Sequence, residues 1–183
     1  MPEVPSGWTS HSALEAHLWA RLDRAVRYRG DPWRFVTLAT IGPNGPEART
    51  VGLRAADRAT ATVEVHTDAR TPKVDQLRAD GRAQLLFWDA RTQEQLRLAV
   101  GVHILDAPLP RWEDVPASAR TNYGTTPAPG TPLMHPEAYT RDPSPNRFAA
   151  LIGRVHRMDA VVLSSDPHRR AVRTDDGWQW IAP

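Results

Sequence analysis

The sequence predicts a mainly β protein in which short antiparallel strands close into a barrel or stack as a sandwich, with helices packed against the ends. Seven or eight short segments of β character, each bounded by turn residues, carry that expectation. Regularly alternating strand and helix units are missing, which argues against a doubly wound sheet or a TIM barrel. At 183 residues, 40% of them hydrophobic and 24% charged, the chain fits one domain able to bury a core without metals or disulfides.

The first element is a helix over residues 12–28. Leu14, Leu18, Leu22 and Val26 recur every fourth residue and form one apolar face, and Ser12 with Glu15 makes a capping box at its start. His11 and His17 fall on its solvated face. After Gly30-Asp31-Pro32-Trp33 the period changes to two. RFVTLATI, the turn cluster Gly42-Pro43-Asn44-Gly45, EARTVGLRA, a turn at Asp57-Arg58 and TATVEVHT together read as a three-stranded antiparallel meander.

A short helix follows from Pro72 to Ala79, closed by Asp80-Gly81. RAQLLFWD and EQLRLAVGVHIL give two more strands, separated by ARTQ. Residues 108–145 hold nine of the 17 prolines, so an ordered but irregular excursion is expected there, with one short helix around residues 112–121. Strand character returns in RFAALIGRVHRM and AVVLSS, and a last hairpin turns at Asp175-Asp176-Gly177 into WQWIA.

Strand alternation places Arg49, Val51 and Leu53 on one face and Thr50, Gly52 and Arg54 on the other. Arginines on both faces have two readings: one of them reaches solvent near a strand end, or Gly52 lets a flat ligand approach the backbone between polar neighbours. Gln95 and Arg97 share the face opposite Leu96, Leu98 and Val100, a polar edge that solvation alone also explains.

The stretch HTDARTPK is more specific, because Lys73 is the only lysine beside 22 arginines. With Pro72 at the first helical position, Thr71 is the N-cap. The helix start, flanked by Arg70 and Lys73, then suits a phosphate, and a compact ammonium fits beside an anion already held by amides and a hydroxyl. An ordinary capped helix with two solvated cations is the other reading.

Other chemistries are excluded by what is missing. The chain has no cysteine, so thiolate nucleophiles, iron–sulfur clusters and Cys-zinc sites are ruled out. Glycine-rich nucleotide loops, a nucleophile elbow and a His-Glu-x-x-His motif are absent, and no histidine pair has metal-ligand spacing. A net charge of +2, with arginines scattered among acids, argues against nucleic acid as partner. Neither a leader peptide nor a membrane span is read, so a cytoplasmic protein is expected. Any chemistry would come from a bound cofactor.

Taken in order, RTVGLR, HTDARTPK, RTQEQLRL, PAPG and WQWIAP resemble the FMN-binding split-barrel proteins related to pyridoxamine 5'-phosphate oxidase, and most of all their compact branch. The similarity runs from about Trp33 to Pro183. It implies a six-stranded split barrel, a homodimer and FMN in a groove between subunits. Arg49, Thr50, Val51, Gly52 and Arg54 would line the flavin and its ribityl chain, with His66 and Thr67 close by. Arg70, Thr71 and Lys73 would hold the phosphate, Gln95 would bond towards the ring, and Arg170 would reach it from the partner. Arg97, Arg120 and His168 are the implied substrate contacts. Two departures stand out: Asp166 occupies the first position of the Arg-x-His-x-Arg segment by which the oxidase grips its substrate, and the glycine after the Gln95 strand comes one residue late, at Gly101. The resemblance implies an FMN-dependent oxidoreductase with a small-molecule substrate. A non-catalytic flavin-binding or flavin-storage protein of the same fold and a barrel holding a deazaflavin or haem are the alternatives.

Overall fold

The computed structural model describes residues 6–183, so the first five residues, part of the stretch read as lacking a leader, lie outside it. The elements run α1 (His11–Arg27), β1 (Phe35–Gly42), β2 (Gly45–Asp57), β3 (Thr62–Asp68), α2 (Pro72–Ala79), β4 (Arg82–Asp89) and β5 (Glu94–Asp106). There follow α3 (Leu109–Asp114), α4 (Ala117–Arg120), the two-residue strands β6 (Thr125–Thr126) and β7 (Thr140–Arg141), then β8 (Phe148–Val162), β9 (Arg169–Thr174) and β10 (Gly177–Ile181).

Six of the strands close a barrel in the order β8-β3-β2-β1-β4-β5, with β5 pairing back onto β8. All of its pairings are antiparallel, and the predicted meander is β1-β2-β3. β8 closes the ring because it is long. Its first half pairs with β3 and its last five residues with β9, while β5 runs along nearly all of it. Asp159, a poor strand former, does not interrupt β8, because its carboxylate is held by Arg97 and Arg170.

The barrel interior follows the alternation. Val36, Leu38, Leu53, Val63, Val65, Leu85, Phe87, Leu96, Leu98 and Met158 are buried, and α1 plugs one end with Leu14, Leu18, Trp19 and Leu22. A bulge at His156 shifts the β5–β8 register between Ala99 and Val100. The late glycine has its reason here: a Cβ on Gly101 would meet the His156 Nε2 at 2.8 Å.

Three expectations are corrected. The helix starts one residue early and its cap is Ser10, not Ser12: Ser10 is extended and its Oγ accepts from the Ala13 N–H at 3.2 Å, whereas Ser12 lies inside the first turn. The single helix expected over residues 112–121 is two short ones, since Pro116 has no N–H to donate and Val115 before it is extended. His11 and His17 are not solvated. The His11 ring packs 5.0 Å from Trp180, and His17 Nε2 lies 2.8 Å from the buried carboxylate of Glu94.

That carboxylate organises the junction of α1 with the β4–β5 hairpin. Trp8 Nε1 donates to it at 2.9 Å and Arg21 at 2.7 Å, while the other arm of Arg21 reaches Asp89 at 2.8 Å and its guanidinium lies over Trp33. No helix among the described residues is long and apolar enough to cross a membrane.

Candidate functional site

β2 and β3 pair only from Leu53 and Val65 downward, with an irregularity at Arg54. Above that point β2 stays with β1 and β3 stays with β8, so the barrel wall splits. A groove of about 640 Å³ occupies the split. β2 contributes Arg49, Thr50, Val51, Gly52 and Arg54, β3 contributes His66, Thr67 and Asp68, and the start of α2 contributes Thr71 and Lys73. The proline-rich segment supplies the opposite side with Tyr123, Pro127, Pro129, Gly130 and Tyr139. It is anchored by a small core of Trp112, Val115, Tyr123 and Phe148.

At the α2 end the groove is cationic. Lys73 Nζ donates to Thr67 Oγ1 at 3.1 Å, and Thr67 Oγ1 is 3.3 Å from Thr71 Oγ1. Burial, and then the nearby Arg49 guanidinium, hold the Lys73 ammonium below the ordinary lysine range, with Asp68 opposing them. Thr71 sits at the N-cap, but its hydroxyl donates to the Asp68 carbonyl at 2.9 Å instead of capping. Arg70 does not line the groove, although both of its partners do. It clamps the Asp68 carboxylate at 3.0 and 2.7 Å and donates to the Thr125 carbonyl at 2.8 Å, tying the proline-rich segment to β3. Arg49, Arg54 and Arg141 are the other cations lining the groove, and Arg49 is the one close enough to act on Lys73. Towards the other end, the Arg54 guanidinium lies over Gly52, where a Cβ would come within 3.2 Å of it.

A side cavity of about 400 Å³ shares Arg54, His66 and Tyr123 with the groove and adds Arg34, Glu64 and Arg111. Glu64 Oε1 lies 2.7 Å from His66 Nε2 and 3.5 Å from Arg111. Burial pushes the Glu64 carboxyl up, but His66 and Arg111 outweigh it and hold it below its usual range. Sequence reading missed Arg34, Glu64, Arg111 and Tyr123. Only Glu64 left a signal, since it shares a strand face with His66.

Gln95, Arg97, Arg170 and His168 do not line the groove. The first three belong to the far side of the barrel, where Gln95 is opposite Val161, Val161 opposite Arg170, and Arg97 opposite Asp159. Asp159 accepts from Arg170 at 3.0 and 2.9 Å and from Arg97, and burial is outweighed by these two arginines in setting its carboxyl low. His168 is exposed. Arg120 is held by the Val115 and Glu113 carbonyls at 2.9 and 3.1 Å and stacks over Trp112.

One outer face joins the two sides. Gly52 and Thr50 stand opposite Phe35 and Thr37, Thr37 opposite Leu86, and Leu86 opposite Arg97. Phe35 is 65% exposed, Trp88 43% and Leu86 37%, a concentration of apolar surface in the middle of a β-sheet.

Residues 15–106, half of the chain, match the family model described as the pyridoxamine 5'-phosphate oxidase FMN-binding domain. The chain belongs to this family. The pyridoxine/pyridoxamine 5'-phosphate oxidase 2 of Arabidopsis thaliana is 32% identical over 77 residues, which span 42% of this chain and 39% of the plant protein. A pyridoxamine 5'-phosphate oxidase-related, FMN-binding protein from Nostoc punctiforme PCC 73102 superposes with a TM-score of 0.72 over 100% of both chains at 27% identity. PhzG from Burkholderia lata 383, solved in complex with tetrahydrophenazine-1-carboxylic acid, gives a TM-score of 0.72 over 99% of this chain and 95% of its own, at 21% identity, a likeness of fold. The closed six-stranded barrel is the split barrel of this family.

Proposed function

We propose that the groove holds FMN and that the protein is an FMN-dependent oxidoreductase working as a homodimer. The observation that carries this is the cationic end of the groove. Lys73 and Arg49 face one space beside the Thr67 and Thr71 hydroxyls; of the two nearby carboxylates, Asp68 is paired with Arg70, and Glu47 is half-exposed and shared between Arg49 and Gln76. Two like charges that weaken one another are stabilised by an anion between them, and a phosphate dianion fits that donor set. Thr50, Val51, Gly52 and Arg54 would line the ribityl chain and ring, with His66 at the junction to the side cavity.

Bound FMN would supply two-electron exchange between a small substrate and an acceptor. The chain supplies binding, orientation and exclusion of water. The side cavity is the place for the substrate, where three arginines, Arg34, Arg54 and Arg111, stand against two acids, Glu64 and Asp114, and favour an anionic group. A second copy covers the apolar outer face, bringing the partner subunit's Gln95, Arg97 and Arg170 towards the groove through Thr50 and Gly52. Arg120, which bonds the Val115 and Glu113 carbonyls, is given no part in this substrate site.

The test is an absorption spectrum of the purified protein and identification of the small molecule released on denaturation. A yellow protein that releases FMN is the expected result. Colourless protein that cannot be reconstituted with FMN overturns the reading. FMN bound tightly but reduced by no substrate in a panel of amines, alcohols and reduced nicotinamides would assign flavin storage instead.

A further inference from the structure

Arg49 meets the groove from β2 and Lys73 meets it from α2, so the distance between the two cations depends on how strand and helix are joined. The join is made through Gln76, one turn beyond Lys73 and 7% exposed. Its Oε1 accepts from Thr40 Oγ1 at 2.6 Å and from Arg49 Nη2 at 3.1 Å, and its Nε2 donates to Glu47 at 2.8 Å. Arg49 is also bonded to Thr40, to the Leu38 carbonyl at 3.4 Å and to Glu47 at 3.1 Å. The amide thus has both ends committed, which fixes its orientation. The guanidinium is held from the side away from the groove by groups on β1, β2 and α2.

Such a frame has a purpose beyond packing. Arginine has a long flexible stem, and a second cation nearby pushes it outward. Left free, Arg49 would swing to solvent or onto the half-exposed Glu47 carboxylate alone. Held as it is, its charge stays beside Lys73 before any ligand arrives, and a preorganised site loses less freedom on binding.

We infer that Gln76 is a positioning residue that sets Arg49 beside Lys73 and thereby confers preference for the phosphorylated flavin over the unphosphorylated one. This rests on the assignment of FMN to the groove. The role predicts a selective effect. Losing the amide should weaken FMN, whose phosphate needs both cations, and leave riboflavin, which lacks the phosphate, nearly untouched.

The experiment is fluorescence titration of flavin-free protein with FMN and with riboflavin, for wild type, Gln76→Leu, Arg49→Met and the double variant. A second variant, Thr40→Val, removes one donor to Gln76 and one acceptor of Arg49 without touching the helix, and replaces Gln76→Leu if that protein does not fold. The expected result is that Gln76→Leu weakens FMN about tenfold, the scale of one charge-assisted bond, and riboflavin less than about twofold. In the Arg49→Met background the same change should add little, because the residue it acts through is gone. Parallel loss of both flavins, or an undiminished effect in the Arg49→Met background, overturns the inference while leaving the FMN reading intact. Wild-type protein that binds neither flavin removes both.

Discussion

At the scale of single residues, Lys73 carries the most consequence. Its ammonium is held below the ordinary lysine range by burial and by Arg49. The unfolded chain therefore binds that proton more tightly than the folded one, and the stability of the ligand-free protein should rise as pH climbs from the depressed value towards the ordinary one. FMN reverses the preference because its phosphate needs the charged form, so FMN affinity should fall over the same interval. Lys73→Met separates the two effects. It should raise the melting temperature of flavin-free protein and weaken FMN by about 1–3 kcal/mol, measured by thermal unfolding and titration. A variant that melts lower and binds FMN as wild type does would remove Lys73 from the site. The sequence marked this residue by its rarity. It could not separate Arg70 from Lys73, because the difference is made by Asp68, two residues before Arg70, which occupies the Arg70 fork.

At the scale of elements, α1 is tied to the barrel through Glu94. Removing that carboxylate leaves Arg21 short of a partner, Trp8 Nε1 without an acceptor and His17 unpaired, all against a buried surface. Glu94→Ala should cost about 3–5 kcal/mol in urea unfolding, with Glu94→Gln losing less because it still accepts from Trp8. An Ala variant as stable as wild type would show that α1 is held by its leucine stripe alone. That stripe was legible in the sequence; the polar tie was not, since its members are 68–86 positions apart. The same limit explains the side cavity, which draws Arg34 from the approach to β1 and Arg111 from α3. Strand and turn positions, set by local alternation and by glycine, were legible almost throughout. Cap choice and the break at Pro116 turned on single backbone conformations.

At the scale of the whole molecule, the proposed homodimer rests on the outer face of β1, β4 and β5. The apolar band around Phe35, Leu86 and Trp88 separates the groove from Gln95, Arg97 and Arg170, and in that proposal a second barrel seated on the band would bring them near one cofactor. Leu86→Glu should convert the protein to monomer in sedimentation velocity and abolish retention of FMN, though Leu86 lines no part of the groove. A variant that stays dimeric and yellow places the interface elsewhere. Sequence alternation gave both faces of these strands, and the family resemblance gave the barrel. Neither could give the bulge at His156 that sets the register across β5 and β8.

Splitting a barrel wall leaves two strand margins whose peptide groups look for new partners, and the simplest event is for a neighbouring stretch of chain to zip into the gap and seal it. The segment lying across this gap presents Pro127 and Pro129, which have no amide hydrogen to offer. It can lean over the opening but cannot add itself to the sheet as a further rung. The cover of the cleft thus brings two fewer amide donors to its rims than an ordinary stretch of the same length would.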